Sequence, residues 1–365
     1  MALALAILLV FSLLRATTAD TNASSASFVF GDSLVDAGNN NYLSTLSKAD
    51  IPPNGIDFTA SGGQPTGRYT NGRTIADIVG EELGQVNYAQ PFLAPNTTGR
   101  VILNGVNYAS GGGGILNSTG QIFINRIGMD IQVDYFNITR QEMERILGEP
   151  KAKAFLMKNA IFSITIGSND FLNNYLFPFL SVGERISQSP NTFVDDLINN
   201  LRGQLIRLYS LDARKFVVGN VGPIGCIPYQ RSINKLKESE CVSLPNELAR
   251  LYNARLRDLL AELNHNLPRA KFCLADVYDL VLELITNYQT YGFKTSSSPC
   301  CGNGGRFAGI IPCGPTSSMC EDRSKHVFWD PYHPSEAANV IIAKYLVDGD
   351  NKYISPINLR QLKDL

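Results

Sequence analysis

At 365 residues, with 44% hydrophobic and 18% charged side chains, the chain has an ordinary globular composition and the length for one large domain or two. A formal net charge of -1 supplies no basic field, which argues against nucleic acid as a partner.

The first segment, Ala2 to Leu14, is apolar and closed by Arg15. It is shorter than the ~20 apolar residues that cross a bilayer. The small residues Ala16-Thr17-Thr18-Ala19 suit a signal peptidase, so 1–19 reads as a signal peptide and 20–365 as one mature domain. No Lys or Arg precedes the apolar run, which leaves a short buried helix as the rival reading. Asn-x-Ser/Thr sequons at Asn22, Asn96, Asn117 and Asn137 agree with secretion.

Ser27-Phe28-Val29-Phe30 reads as a first strand, and Gly31-Asp32-Ser33-Leu34 follows at its end. A polar, Gly- and Asn-rich stretch runs to Asn71, and a helix is expected over Thr74 to Leu83. Val106 to Ser110 is a short strand that breaks into four glycines, 111–114. A helical region from Met129 to Met157 is interrupted at Gly148-Glu149-Pro150. Ala160 to Ile166 is a buried strand ending at Gly167-Ser168-Asn169-Asp170. Phe193, Leu197, Leu201, Leu205 and Leu208 recur at the helical period, as do Leu248, Tyr252, Leu256, Leu259 and Leu263. Between and after these helices lie strands at Lys215–Gly219 and Lys271–Asp276, then a helix over Val277 to Tyr288. Pro334 fits the first position of a last helix. Strands alternating with helices imply a mostly parallel sheet covered on both faces, an α/β three-layer fold.

Seven cysteines fit an oxidising compartment, and four of them crowd into residues 300–320. That Gly-rich loop buries too little apolar surface to order itself, so disulfides are the expected constraint. Zinc, with His326 as a further ligand, is the rival, although Cys300-Cys301 lacks the Cys-x-x-Cys spacing. The odd count leaves one thiol unpaired, and Cys273, in a strand-like run, is the candidate.

Ser33, at a strand end, and Asp330-Pro331-Tyr332-His333-Pro334 together offer a hydroxyl, an imidazole and a carboxylate. A serine must lose its proton as it attacks, an imidazole can take it, and a carboxylate fixes the imidazole tautomer. Taken alone, Ser33 reads first as a turn or cap serine, and a histidine at a helix start is the alternative for His333. Of the other histidines, His265 sits in Asn-His-Asn at a helix end, where a solvated capping role fits, and His326 lies among charged residues after the cysteine loop.

Four blocks in order resemble those of the GDSL, or SGNH, hydrolase superfamily: Gly31-Asp32-Ser33-Leu34, Asn107-Tyr108-Ala109-Ser110-Gly111-Gly112, Gly167-Ser168-Asn169-Asp170 and Asp330-x-x-His333. Gly67-Arg68-Tyr69-Thr70-Asn71-Gly72-Arg73 and Phe328 to Pro334 are similar to the plant GDSL esterase/lipases in particular. The resemblance implies a flavodoxin-like α/β/α sandwich around a five-stranded parallel sheet. It implies Ser33 as nucleophile, His333 as general base and acid, and Asp330 as the group orienting His333. It implies an oxyanion hole from the Ser33 N–H, the Gly112 N–H and the Asn169 amide, with Gly111 as the alternative glycine. No cofactor and no metal are implied. The expected function is secreted hydrolysis of carboxylic esters, lipid or acylated cell-wall carbohydrate, in the apoplast or cell wall without a stable membrane anchor. An acyltransferase of the cutin-polymerising kind uses the same triad, and a non-catalytic binding glycoprotein is the third reading. Loops within 37–72 are expected to line the pocket. Leu172, Tyr175, Leu176, Phe177 and Phe179 form either an acyl-binding wall or a packed helix face.

Overall fold

The computed structural model describes residues 25–177, 188–234 and 240–365. The signal-peptide reading at 1–19, the sequon at Asn22 and the wall residue Phe179 lie outside the described residues.

Five parallel strands form the centre: β1 (Ala26–Gly31), β3 (Gly105–Asn107), β4 (Ala160–Thr165), β5 (Lys215–Gly219) and β6 (Lys271–Ala275). Their order across the sheet is β3-β1-β4-β5-β6. The five-stranded expectation needs one correction. Two-residue strands widen the sheet to seven, with β2 (Gln90–Pro91) beside β3 and the antiparallel β9 (Ile354–Ser355) beside β6. Runs that short carry no periodicity for sequence to display. A separate hairpin, β7 (Cys301–Gly302) with β8 (Ser318–Met319), stands outside the main sheet.

Alternation along the strands sorts the two faces. Phe28, Phe162, Phe216 and Phe272 are paired in register across β1, β4, β5 and β6, and their rings follow one another at 5.2, 5.7 and 4.3 Å. This ladder packs under α2 (Met129–Leu147), α4 (Pro190–Ser210) and α5 (Ser243–Asn266). Ile161, Val217 and Cys273 face the other way, toward α6 (Val277–Thr286) and α7 (Glu336–Asp348). The three-layer α/β reading is borne out. The break at Gly148 falls where expected: α2 ends at Leu147 and α3 (Glu149–Lys158) follows at once.

α1 (Ile75–Glu82) begins with a capping box between Thr74 and Asp77. The expectation for Pro334 was two residues early. Ser335 caps α7 through its side chain, and Glu336 is the first helical residue. Disulfides join Cys226 to Cys241, Cys300 to Cys320 and Cys301 to Cys313, leaving Cys273 as a buried free thiol. The zinc alternative therefore loses its four sulfur ligands, and His326 Nδ1 instead lies 3.3 Å from the Ser298 carbonyl.

Candidate active site

Parallel strands bring their carboxyl ends to one edge, and the loops leaving that edge build the cleft. Ser33 follows β1. Gly31 must be glycine, because a Cβ there would stand 2.4 Å from the Thr165 carbonyl oxygen on β4. The Gln132 amide brackets the same residue, accepting from Gly31 N–H and donating to Gly31 C=O at 2.8 Å each. Asp32 Oδ1 accepts from Leu34 N–H, and Asp36 accepts from the N–H groups of Gly38, Asn39 and Gly111 at 2.7–3.0 Å. Asn39 donates in turn to Asn107 C=O and Ala109 C=O. A serine on a turn fastened at so many points has little freedom to wander.

His333 comes from an irregular segment. Asp330 Oδ1 accepts from the backbone N–H of Tyr332 and of His333, which folds the segment back so that the carboxylate faces the ring. His333 Nδ1 lies 2.7 Å from Asp330 Oδ2, and Nε2 lies 2.7 Å from Ser33 Oγ. With Asp330 accepting the Nδ1 proton, Nε2 carries the lone pair that accepts the Ser33 hydroxyl. Trp329, fully buried, donates its indole N–H to Asn54, and its backbone pairs with His333 and Cys301.

The Gly67–Arg73 motif bridges the two halves. Arg68 pairs with buried Asp77 on α1, and the Tyr69 hydroxyl meets Asn40 and Ser47 in the serine-bearing loop. Thr70 donates to the Pro334 carbonyl, Asn71 accepts from Glu336 N–H, and Arg73 pairs with Glu336 on α7.

Hydrogen bonding separates the two candidate glycines. Gly111 N–H is occupied by Asp36, and Gly113 N–H by Ser110 C=O. Among the described residues no partner occupies the N–H of Ser33 or of Gly112, and both residues line the same cleft. Gly112 has φ +85°, and a Cβ on it would stand 2.5 Å from the Phe123 ring. Asn169 Nδ2 gives one hydrogen to Gly113 C=O at 2.9 Å and keeps a second. Asn173 donates to Asn169 Oδ1, which fixes the orientation of the amide. Asp170 turns its carboxylate away from Asn169 to the glycine loop. It binds Ile115 N–H, Leu116 N–H and the Thr119 hydroxyl, and so fastens the glycine loop.

Three carboxyls lie buried around this centre. Burial raises Asp32 to about 7 and both Asp36 and Asp170 to about 6. Asp36 and Asp170 have every oxygen engaged, whereas Asp32 Oδ2 has no hydrogen-bond partner. Desolvation of the charged form is the main cause in each case.

The cleft has a volume of about 290 Å³ and includes Ser33, Gly112, Asn169 and His333 in its lining. Loop residues Leu46, Ser47, Lys48 and Asn54 contribute to it, as expected of 37–72. Of the aromatic and aliphatic set after Asn169, Leu172 lines the cleft, while Tyr175 packs on Phe193 in the core. Sequence reasoning missed two contributions: Pro312 and Cys313 from the cysteine loop, and Val277, Val281 and Ile342 from α6 and α7. No sequence signal could have placed them, because only the tertiary fold brings them to the serine. Asn96 and Asn117 are exposed, whereas Asn137 is half-buried on α2 and its sequon threonine, Thr139, is buried against the Tyr108 hydroxyl.

The cleft thus has one group that can draw a proton from a hydroxyl and several N–H groups that can hold a negative oxygen, the two needs of acyl transfer. Comparison with known proteins agrees. The chain belongs to the GDSL-like Lipase/Acylhydrolase family, whose sequence profile matches residues 28–346. It is 69% identical to GDSL esterase/lipase At2g23540 of Arabidopsis thaliana over 93% of this chain and 88% of that one. GDSL esterase/lipase At3g50400 of the same plant is 64% identical, covering 96% and 94% of the two chains. GDSL esterase/lipase At4g16230 is 56% identical over 93% and 91%. The protein is an esterase/lipase of the carboxylic ester hydrolase class. No helix among the described residues is long and apolar enough to cross a membrane.

Proposed function

We propose that the chain is a secreted serine esterase, mature from about residue 20, acting on lipid esters or acylated carbohydrate with Ser33, His333 and Asp330 as its triad. Ser33 Oγ attacks the ester carbonyl carbon as its proton passes to His333 Nε2. The carbonyl oxygen becomes an oxyanion held by the N–H groups of Ser33 and Gly112 and the Asn169 amide, each donor contributing about 3 kcal/mol. Collapse breaks the carbon–alkoxy bond, and His333 returns the proton to the departing alcohol. Water then attacks the acyl-serine carbonyl, again giving its proton to His333, and the acid leaves as Ser33 is regenerated. Asp330 holds the Nδ1 tautomer throughout and stabilises the imidazolium.

The observation that carries this reading is the line from Ser33 Oγ to His333 Nε2 at 2.7 Å, continued from Nδ1 to Asp330. Three disulfides and the exposed sequons at Asn96 and Asn117 support an extracellular location. A fluorophosphonate probe should label the wild type, and Ser33→Ala should abolish both labelling and at least ~10⁴-fold of the ester turnover. Undiminished labelling of Ser33→Ala would remove Ser33 from the role.

A further inference from the structure

We propose that the acyl part of the substrate lies along the carboxyl ends of β1, β4, β5 and β6, and that Val281 and Ile342 close the inner end and set its length. This rests on the ester-hydrolase reading above and extends it to a substrate class, esters of unbranched acyl chains of medium to long length.

The lining of the cleft follows the strand order. Leu34 comes after β1, Ile166 after β4, Ile224 after β5, and Val277 opens α6 directly beyond β6. Val281 stands one turn farther along α6, and Ile342 faces the same space from α7. Three strand spacings from β1 to β6 make about 14 Å, which an extended chain of about ten to twelve carbons covers at a little over an ångström per bond.

Charge is distributed in the same sense. Asp32, Lys48 and Asp330, the charged residues of the lining, all stand at the serine end: Asp32 precedes Ser33, Asp330 holds His333, and Lys48 donates to the carbonyls of Asn40 and Asn41. Polar residues farther in are turned to other work. Asn220 bonds Asp276 and Tyr278 N–H, and Asn339 donates to Arg73 C=O. An inner end without charge suits methylene groups, whereas a sugar would leave its hydroxyls without partners there. The alcohol part of the ester accordingly occupies the polar mouth beside Ser47, Lys48 and Asn54.

The test is a series of p-nitrophenyl esters from acetate to palmitate, with kcat/KM measured on the whole protein and on two variants. Wild-type kcat/KM should rise with each added carbon, by about fourfold where the methylene is fully buried, and level off beyond dodecanoate. Val281→Phe should move the maximum to shorter chains, and Ile342→Ala should move it to longer ones. Opposite shifts cannot both arise from damage to the fold. A wild-type maximum at acetate, or a maximum that neither variant moves, would overturn the groove while leaving the esterase intact. Absence of turnover with every ester, together with absence of fluorophosphonate labelling, would instead overturn the esterase reading itself.

Discussion

The segment bearing Ser33 and the segment bearing His333 meet at 2.7 Å, yet they are fastened by different means. Residues 31–40 leave a strand and are held by buried side chains: Gln132 on Gly31, Asp36 on three backbone N–H groups, Asn39 on two carbonyls. Residues 300–335 have no long strand beneath them and are held by two disulfides, one buried tryptophan and the Asp330 turn. The difference follows from what lies underneath. A strand end offers a crowd of neighbouring backbone groups that a carboxylate or amide can tie together. A segment without a long strand of its own offers fewer, and covalent links add to the order that burial supplies.

Removing one fastening at a time should separate the two regions. Asp36→Ala leaves three buried N–H groups without acceptors and should cost about 4 kcal/mol in urea unfolding, with amide exchange rising over 31–40. Replacing Cys301 and Cys313 by Ser together opens a covalent loop and should cost about 3 kcal/mol, with exchange rising over 300–335 instead. If exchange spread equally through both regions in either variant, the two fastenings would be one cooperative unit and the distinction would fail.

The smallest effect concerns the carboxyl next to the serine. Burial raises Asp32 to about 7 in the folded protein, above its ordinary 3.8, so folding favours its neutral form. Its contribution to stability is therefore lost as pH rises from about 4 to 7. Asp32→Asn keeps an acceptor for Leu34 N–H and has no charge to desolvate. Relative to wild type, the variant should gain on the order of 2 kcal/mol in stability between pH 5 and pH 8. Parallel stability profiles for the two proteins would show that the Asp32 charge is not the source.

The strands and long helices were legible because β-rich apolar runs and the 3.6-residue repeat are local properties. Ser33, Asp330 and His333 were singled out by the resemblance of four ordered blocks to one family, because a strand-end serine and an Asp-x-x-His spacing taken alone also fit a cap serine and a helix-start histidine. Gly112 could not be separated from Gly111 by sequence. The distinction rests on Asp36, 75 residues earlier, occupying the Gly111 N–H. Cysteine pairing was likewise closed to sequence, because four sulfurs in one loop admit several connectivities. The inner wall of the cleft was invisible for a related reason. Val281 and Ile342 look like ordinary core positions of amphipathic helices, and only the packing of α6 and α7 leaves space between them and the serine.

The hydroxyl and the imidazole are also 300 residues apart along the chain. At ribosomal speed, about 15 seconds to a minute passes between synthesis of the first and of the second. A half-made chain thus carries its serine beside empty space and has no catalyst to release. In the proposed triad Ser33 gains its base only once His333 has been made and folded against it, so a nascent chain lacks that pairing near its site of manufacture.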